Sequence, residues 1–234
     1  MNVARLWQQL EKLEHENRFD GASYPSGLAP FPFRLSGQGF FPGGDGLWRD
    51  DASAPTAGEL PAGGVLFLAA DFGTLESYNR LSSRGYQSAP LWKNLKRRIL
   101  DAGLPTNKIF CSNIYPGLRV ENRALGVYPA VQNSEFPLFS VEMLRFQIEA
   151  LSPKLIVSLG PVPEVFLHRF KKALAFPDGS RPAVLFTPHP ERDAELPPIR
   201  RHQLATELRD AWENTQASPY RSRSVSGIHQ AHTT

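Results

Sequence analysis

Residues 65–74, reading VLFLAADFGT, constrain the fold more than any other stretch of the chain. Val65, Leu66, Phe67 and Leu68 form an apolar run that breaks at two alanines, an acid and a glycine. A parallel strand buried on both faces reads as such a continuous run. It stops abruptly where it delivers a polar side chain to the end of a sheet. In open α/β sheets ligands bind outside the carboxyl ends of the strands, which is where Asp71 falls. Taken alone, Asp71 also fits a turn or helix cap.

The pattern recurs. Apolar strands are expected over residues 108–113 (KIFCSN), 154–159 (KLIVSL) and 183–187, the last running into Thr187-Pro188-His189-Pro190. Helical spacing covers residues 91–102, 139–151, 162–172 and 200–212. In the first of these, Leu91, Trp92, Leu95, Ile99 and Leu100 form the expected buried face. Lys93, Lys96, Arg97 and Arg98 are expected mostly outward. A loop is expected from the first strand through Pro90, and an irregular stretch over 119–137. Strands alternating with helices imply an α/β fold: three αβα layers around a central four-stranded, mainly parallel sheet. Asp71, Asn113 and His189 then close three strands on one edge, where a single cleft can gather them.

The flanks differ in character. Residues 1–17 predict an amphipathic helix with Val3, Leu6, Trp7, Leu10 and Leu13 on one face. Residues 18–63 are rich in Pro, Gly and aromatics, among them Phe31, Phe33, Phe40, Phe41 and Trp48, and predict an ordered arm wrapping the domain. The glycines of 39–46 do not follow a strand and make a weak phosphate loop. The α/β domain spans 64–214. A polar tail at 215–234 is expected to be disordered.

The chain has one cysteine, Cys111, which excludes a disulfide within the chain, an all-cysteine zinc site and an iron–sulfur cluster built from this chain alone. No stretch approaches the roughly 20 apolar residues of a membrane span. The first residues are too charged for a signal peptide's apolar core. A cytoplasmic monomer without cofactor or metal is therefore expected. A formal net charge of +3 permits a polyanionic partner without demanding one.

Three short motifs at strand ends, AADFGT, FCSNIYPG and TPHPE, together with KLIVSLGPVPEVFL between the last two, resemble the uracil-DNA glycosylase superfamily in order and spacing. The resemblance covers residues 64–212. It implies the fold of that family and a hydrolase that cleaves the N-glycosidic bond of uracil or another altered base flipped from DNA. AADFGT stands where the best-known branch has its water-activating GQDPYH motif, FCSNIYPG where an asparagine reads the base, and TPHPE where a histidine-proline motif lies.

The residue types suit that chemistry. Breaking the bond develops positive charge on the sugar and negative charge on the base. A carboxylate, Asp71, can stabilise the cation and orient water, and a neutral imidazole, His189, can donate to an oxygen of the departing base. Asn113 offers a donor and an acceptor to one base edge. Tyr78 and Tyr115, with Phe72 behind them, are candidates for stacking on the base. Leu196 matches the family's apolar wedge, and Arg192, Arg200 and Arg201 are candidates for phosphate contacts. Each of these is equally compatible with a core or surface role.

Departures from the family pattern bear on substrate. Ala70 replaces a glutamine. Gly73 replaces a tyrosine that excludes a 5-methyl group, so the pocket gains room. Glu191 replaces a phosphate-touching serine and would repel phosphate. These leave open a catalytically inactive or altered nucleotide- or nucleic-acid-binding module on the same fold. A different α/β hydrolase using Asp71 and His189 on a small molecule is a third reading, without a G-x-S-x-G or phosphate-loop motif to support it.

Overall fold

The computed structural model describes residues 3–16, 24–30, 60–84, 90–121, 127–129, 135–176 and 178–217. The five aromatics named in the arm, its glycine-rich stretch and the tail beyond residue 217 lie outside them. The chain begins with α1 (Val3–Glu16) and a short strand β1 (Leu28–Pro30). Next come β2 (Val65–Ala69), α2 (Leu75–Arg84), α3 (Pro90–Asp101), β3 (Ile109–Asn113) and β4 (Gly117–Arg119). The last part holds α4 (Phe136–Leu151), β5 (Leu155–Leu159), α5 (Pro161–Arg169), β6 (Ala183–Thr187) and α6 (Pro198–Ala217).

Strands β3-β2-β5-β6, in that spatial order, form one four-stranded sheet, and each of its pairs is parallel. Alternation of side chains along the strands builds two cores, since successive residues face opposite sides. Leu66, Leu68, Phe110 and Ile156 pack with Leu6 and Leu10 of α1, Leu144 and Ile148 of α4, and Phe166 of α5. Val65, Phe67, Cys111 and Val157 pack with Trp92, Leu95 and Ile99 of α3 and Leu208 of α6. Helices thus flank both faces of the sheet in an αβα arrangement. Each such side chain, when fully buried, is worth about 1.5–3 kcal/mol, which is what commits the apolar runs to the centre.

Four expectations change. The loop after β2 contains helix α2: Leu75 and Tyr78, three residues apart, turn to the core, and the Thr74 hydroxyl caps the helix by accepting from the Ser77 N–H at 3.1 Å. The outward face assigned to α3 is wrong at Arg98, which is buried, and the inward face is wrong at Leu100, which is 55% exposed. The arm contributes a strand that its sequence pattern does not mark: β1 pairs antiparallel with β4, placing Leu28 opposite Arg119. The final helix runs through Ala217, so the first residues assigned to the tail are helical.

Register sets which strand ends lie side by side. Ala69 lies beside Asn113, and Leu159 beside Thr187. The N–H groups of Ile114 and Tyr115 donate to the carbonyls of Ala69 and Ala70, each at 3.0 Å. The Gly160 N–H donates to the Thr187 carbonyl at 2.8 Å. These bonds extend the strand pairing past the strand ends and align residues 70, 114, 160 and 188 along one edge.

Candidate active site

Asp71 leaves β2 into a tight turn. Its Oδ1 accepts the Gly73 N–H at 2.8 Å, and Gly73 then takes a left-handed backbone (φ +77°) that glycine adopts at no steric cost. Its Oδ2 accepts Nη2 of Arg119 at 2.9 Å, with the two side chains 12% and 8% exposed. Arg119 is fixed in turn. Its backbone N–H donates to the Gly73 carbonyl at 2.9 Å, and its guanidinium lies 5.2 Å from the centre of the Tyr128 ring. The pair therefore ties the turn after β2 to the end of β4.

A cavity of about 370 Å³ opens against this pair. That size lies within the range of small-molecule sites, about 300–1,000 Å³. Asp71 and Arg119 supply polar groups of its wall, and Tyr115, Tyr128 and Phe166 supply aromatic surface. The Tyr115 and Tyr128 rings stack at 4.6 Å and 8°, and Phe166 meets Tyr115 edge-on at 5.6 Å. Burial pushes both tyrosine hydroxyls above their ordinary pKa, and the Asp71 charge adds to the shift, so both remain protonated at neutral pH.

Asn113, the last residue of β3, is 3% exposed. Both its Oδ1 and its Nδ2 are buried without a hydrogen-bond partner. A buried polar group left unsatisfied costs about 1–3 kcal/mol, so a side chain with both polar atoms idle is a marked exception within a core. It is the state expected of a group that reads a ligand.

His189 follows β6. Burial holds its imidazole below the usual pKa, with the Arg98 charge acting in the same direction. Glu191, Asp71 and Asp193 pull the other way. Nδ1 lies 3.7 Å from Oε2 of Glu191, an ion pair only when the ring is protonated. Gly160 backs the ring: a Cβ there would stand 3.5 Å from the His189 Cβ, and its own backbone (φ +97°, ψ 177°) is a region that only glycine adopts readily.

The remaining expected site residues divide. Of the expected residues, Asp71 and Tyr115 line the cavity, whereas Asn113, His189 and Gly73 are not among its lining, and neither are Phe72 and Tyr78, which pack partly buried against the core. Arg192 pairs with Glu195 at 3.6 Å, and Arg200 with Glu207 at 2.7 Å. Arg201 donates to the Asp193 carbonyl at 3.4 Å. Leu196 is half-buried in the turn before α6. Arg119, Tyr128 and Phe166 escaped the sequence reading, Arg98 was read only as an outward cation, and Gly160 only as the break after its strand. Of these, Gly160 carried a signal, a glycine at a strand end before Pro161. Arg119 sits in GLRV, where no periodicity marks it.

Among the described residues, no group of three or more His, Cys, Asp or Glu is placed to hold a metal ion, and no helix is long and apolar enough to cross a membrane. No protein-family model matches the chain, and no curated protein matches it.

Proposed function

We propose that this protein is a base glycosylase of the uracil-DNA glycosylase type, cleaving the N-glycosidic bond of a uracil or other altered base extruded from DNA in the cytoplasm. One observation carries the reading. Asp71, Asn113 and His189 lie at the ends of three strands of one parallel sheet, β2, β3 and β6, at the same edge, with β5 between β2 and β6, and the Asn113 amide is buried with both polar atoms unpartnered.

The roles follow from the environments. Asp71 has one oxygen on Gly73 and the other on Arg119, so its position is set before substrate arrives. Its work is to orient the attacking water and to oppose the positive charge growing on the sugar. His189, kept neutral by burial, donates an N–H to the oxygen of the departing base. Asn113 pairs with the base edge and gains the partners it lacks. Tyr115 supplies stacking surface of the kind that returns about 1–3 kcal/mol per base, against the few kcal/mol needed to unstack it.

The test is a panel of single- and double-stranded oligonucleotides carrying uracil, hypoxanthine, xanthine and substituted pyrimidines, scored for abasic sites. Asp71→Asn should lower excision about 10²–10⁴-fold with an unchanged circular-dichroism spectrum. The proposal fails if no substrate in the panel yields abasic sites.

The Arg119–Asp71 pair favours a second reading, a module that binds a base or nucleotide without cleaving it, because a compensated carboxylate is a poor catalyst on its own. Tight binding without turnover supports this reading, and Asp71-dependent cleavage excludes it.

A further inference from the structure

Arg98 and Asp193 form a buried ion pair 95 residues apart in the chain. Arg98 Nε donates to Asp193 Oδ2 at 2.8 Å, and Nη2 donates to Oδ1, so the pair is bidentate. The two side chains are 7% and 1% exposed. A pair this buried costs desolvation and is weak evidence of stabilisation by itself. What distinguishes it is where the remaining donors go. Arg98 Nη1 donates to the Pro188 carbonyl at 2.8 Å and to the Thr187 hydroxyl at 3.4 Å. One turn earlier on α3, Asn94 Nδ2 donates to the Pro190 carbonyl at 2.8 Å. The residues on both sides of His189 are therefore held by one helix, while Gly160 backs the ring.

We propose that Arg98, anchored by Asp193, is the positioning residue of His189, fixing the backbone on either side of the imidazole so that the ring presents its N–H in one direction. The inference rests on the role given to His189 above. Stability alone is weak grounds for burying this pair, since replacing a buried ion pair by apolar residues of similar volume is often neutral. The guanidinium matters because its planar fork reaches a carboxylate and a backbone carbonyl together, which an ammonium group does not reproduce.

The charged groups facing His189 are Arg98 from α3, Asp71 from the end of β2, and Glu191 and Asp193 from its own turn. Replacing Arg98 and Asp193 together removes one charge of each sign. Their effects on the ring oppose each other, and the change left to observe is that of position and burial.

The experiment compares wild type, Asn94→Ala, Arg98→Lys and the double variant Arg98→Met/Asp193→Leu. The double variant keeps the interior neutral and so tolerates loss of the pair. The His189 ring is followed by NMR titration, assigned with His189→Gln, and excision is measured on the best oligonucleotide. In the double variant the ring should titrate closer to its free value, and kcat should fall about 10²-fold with KM little changed, the scale of a displaced catalytic group. Asn94→Ala should show the same effects in smaller measure, and Arg98→Lys should not rescue them. Unchanged His189 titration in a folded double variant overturns the inference, as does unchanged kcat. If wild type cleaves no substrate, the glycosylase reading falls alone, and the titration still decides the role of Arg98.

Discussion

Arg119 and Asp71 meet in the wall of the cavity at 2.9 Å, one from β4 and one from the turn after β2, both largely out of water. The carboxylate is held in place by a cation that no neighbouring residue in sequence announces. Removing that cation leaves a charge with one hydrogen bond from Gly73 and little solvent. Breaking a buried pair from one side costs about 3–5 kcal/mol, and access through the cleft puts Arg119→Met at the lower end of that range. Urea denaturation measures it. A double-mutant cycle with Asp71→Asn should show coupling, because the double variant leaves no buried charge. Additivity within about 0.5 kcal/mol would mean that the two side chains act independently.

Asn113 sets stability against function. Its amide has no partner in the folded chain, so Asn113→Leu removes an unsatisfied pair of polar atoms while keeping the same branched outline of heavy atoms. The unfolding free energy should rise by about 1–3 kcal/mol while base recognition is lost. A variant less stable than wild type would show that the amide is satisfied within the fold after all.

Gly160 carries a backbone conformation that L-residues avoid. Gly160→Ala should cost about 1–3 kcal/mol through strain alone, since its Cβ would meet His189 at ordinary contact distance, 3.5 Å. The measurement is the urea midpoint, with the slope unchanged. Equal midpoints for the two proteins would contradict the strained backbone at this position.

The pH dependence of stability follows from His189. Its folded pKa lies below the ordinary 6.5 because burial disfavours the imidazolium. Above about 6.5 both folded and unfolded states are neutral at this site, and the contribution is fully present. As pH falls from there toward the lower folded pKa, the unfolded chain takes up the proton first and the contribution is lost. Wild type should therefore lose stability across this window with a slope that His189→Gln reduces, read from denaturation at half-unit pH steps. Equal slopes in the two proteins would mean that the ring is not shielded.

Much of the framework was legible before any coordinates. Runs such as VLFL and LIVSL are long enough to be strands and apolar enough to be central, and each is (β2 and β5). Their polar terminations marked Asp71, Asn113 and His189, and parallel register then aligns those ends. Helix α2 was missed because LESYNRLSSR is polar on average, although its few apolar residues, Leu75, Tyr78 and Leu81, recur every three positions. Arg98 was misassigned because a cation on an amphipathic helix is ordinarily solvated, and only the approach of Asp193 makes it an interior residue.

Hydrophobic patterning is local. The order of apolar runs, read a few residues at a time, determined an α/β chain with a buried parallel sheet and polar groups at its strand ends. The tertiary structure decided which charges meet. Arg119 with Asp71 spans 48 positions and Arg98 with Asp193 spans 95, and Tyr115 stacks on Tyr128 through side-chain packing. A guanidinium is worth burying only when a carboxylate arrives from elsewhere in the fold, and that pairing leaves no periodic trace in the residues around it.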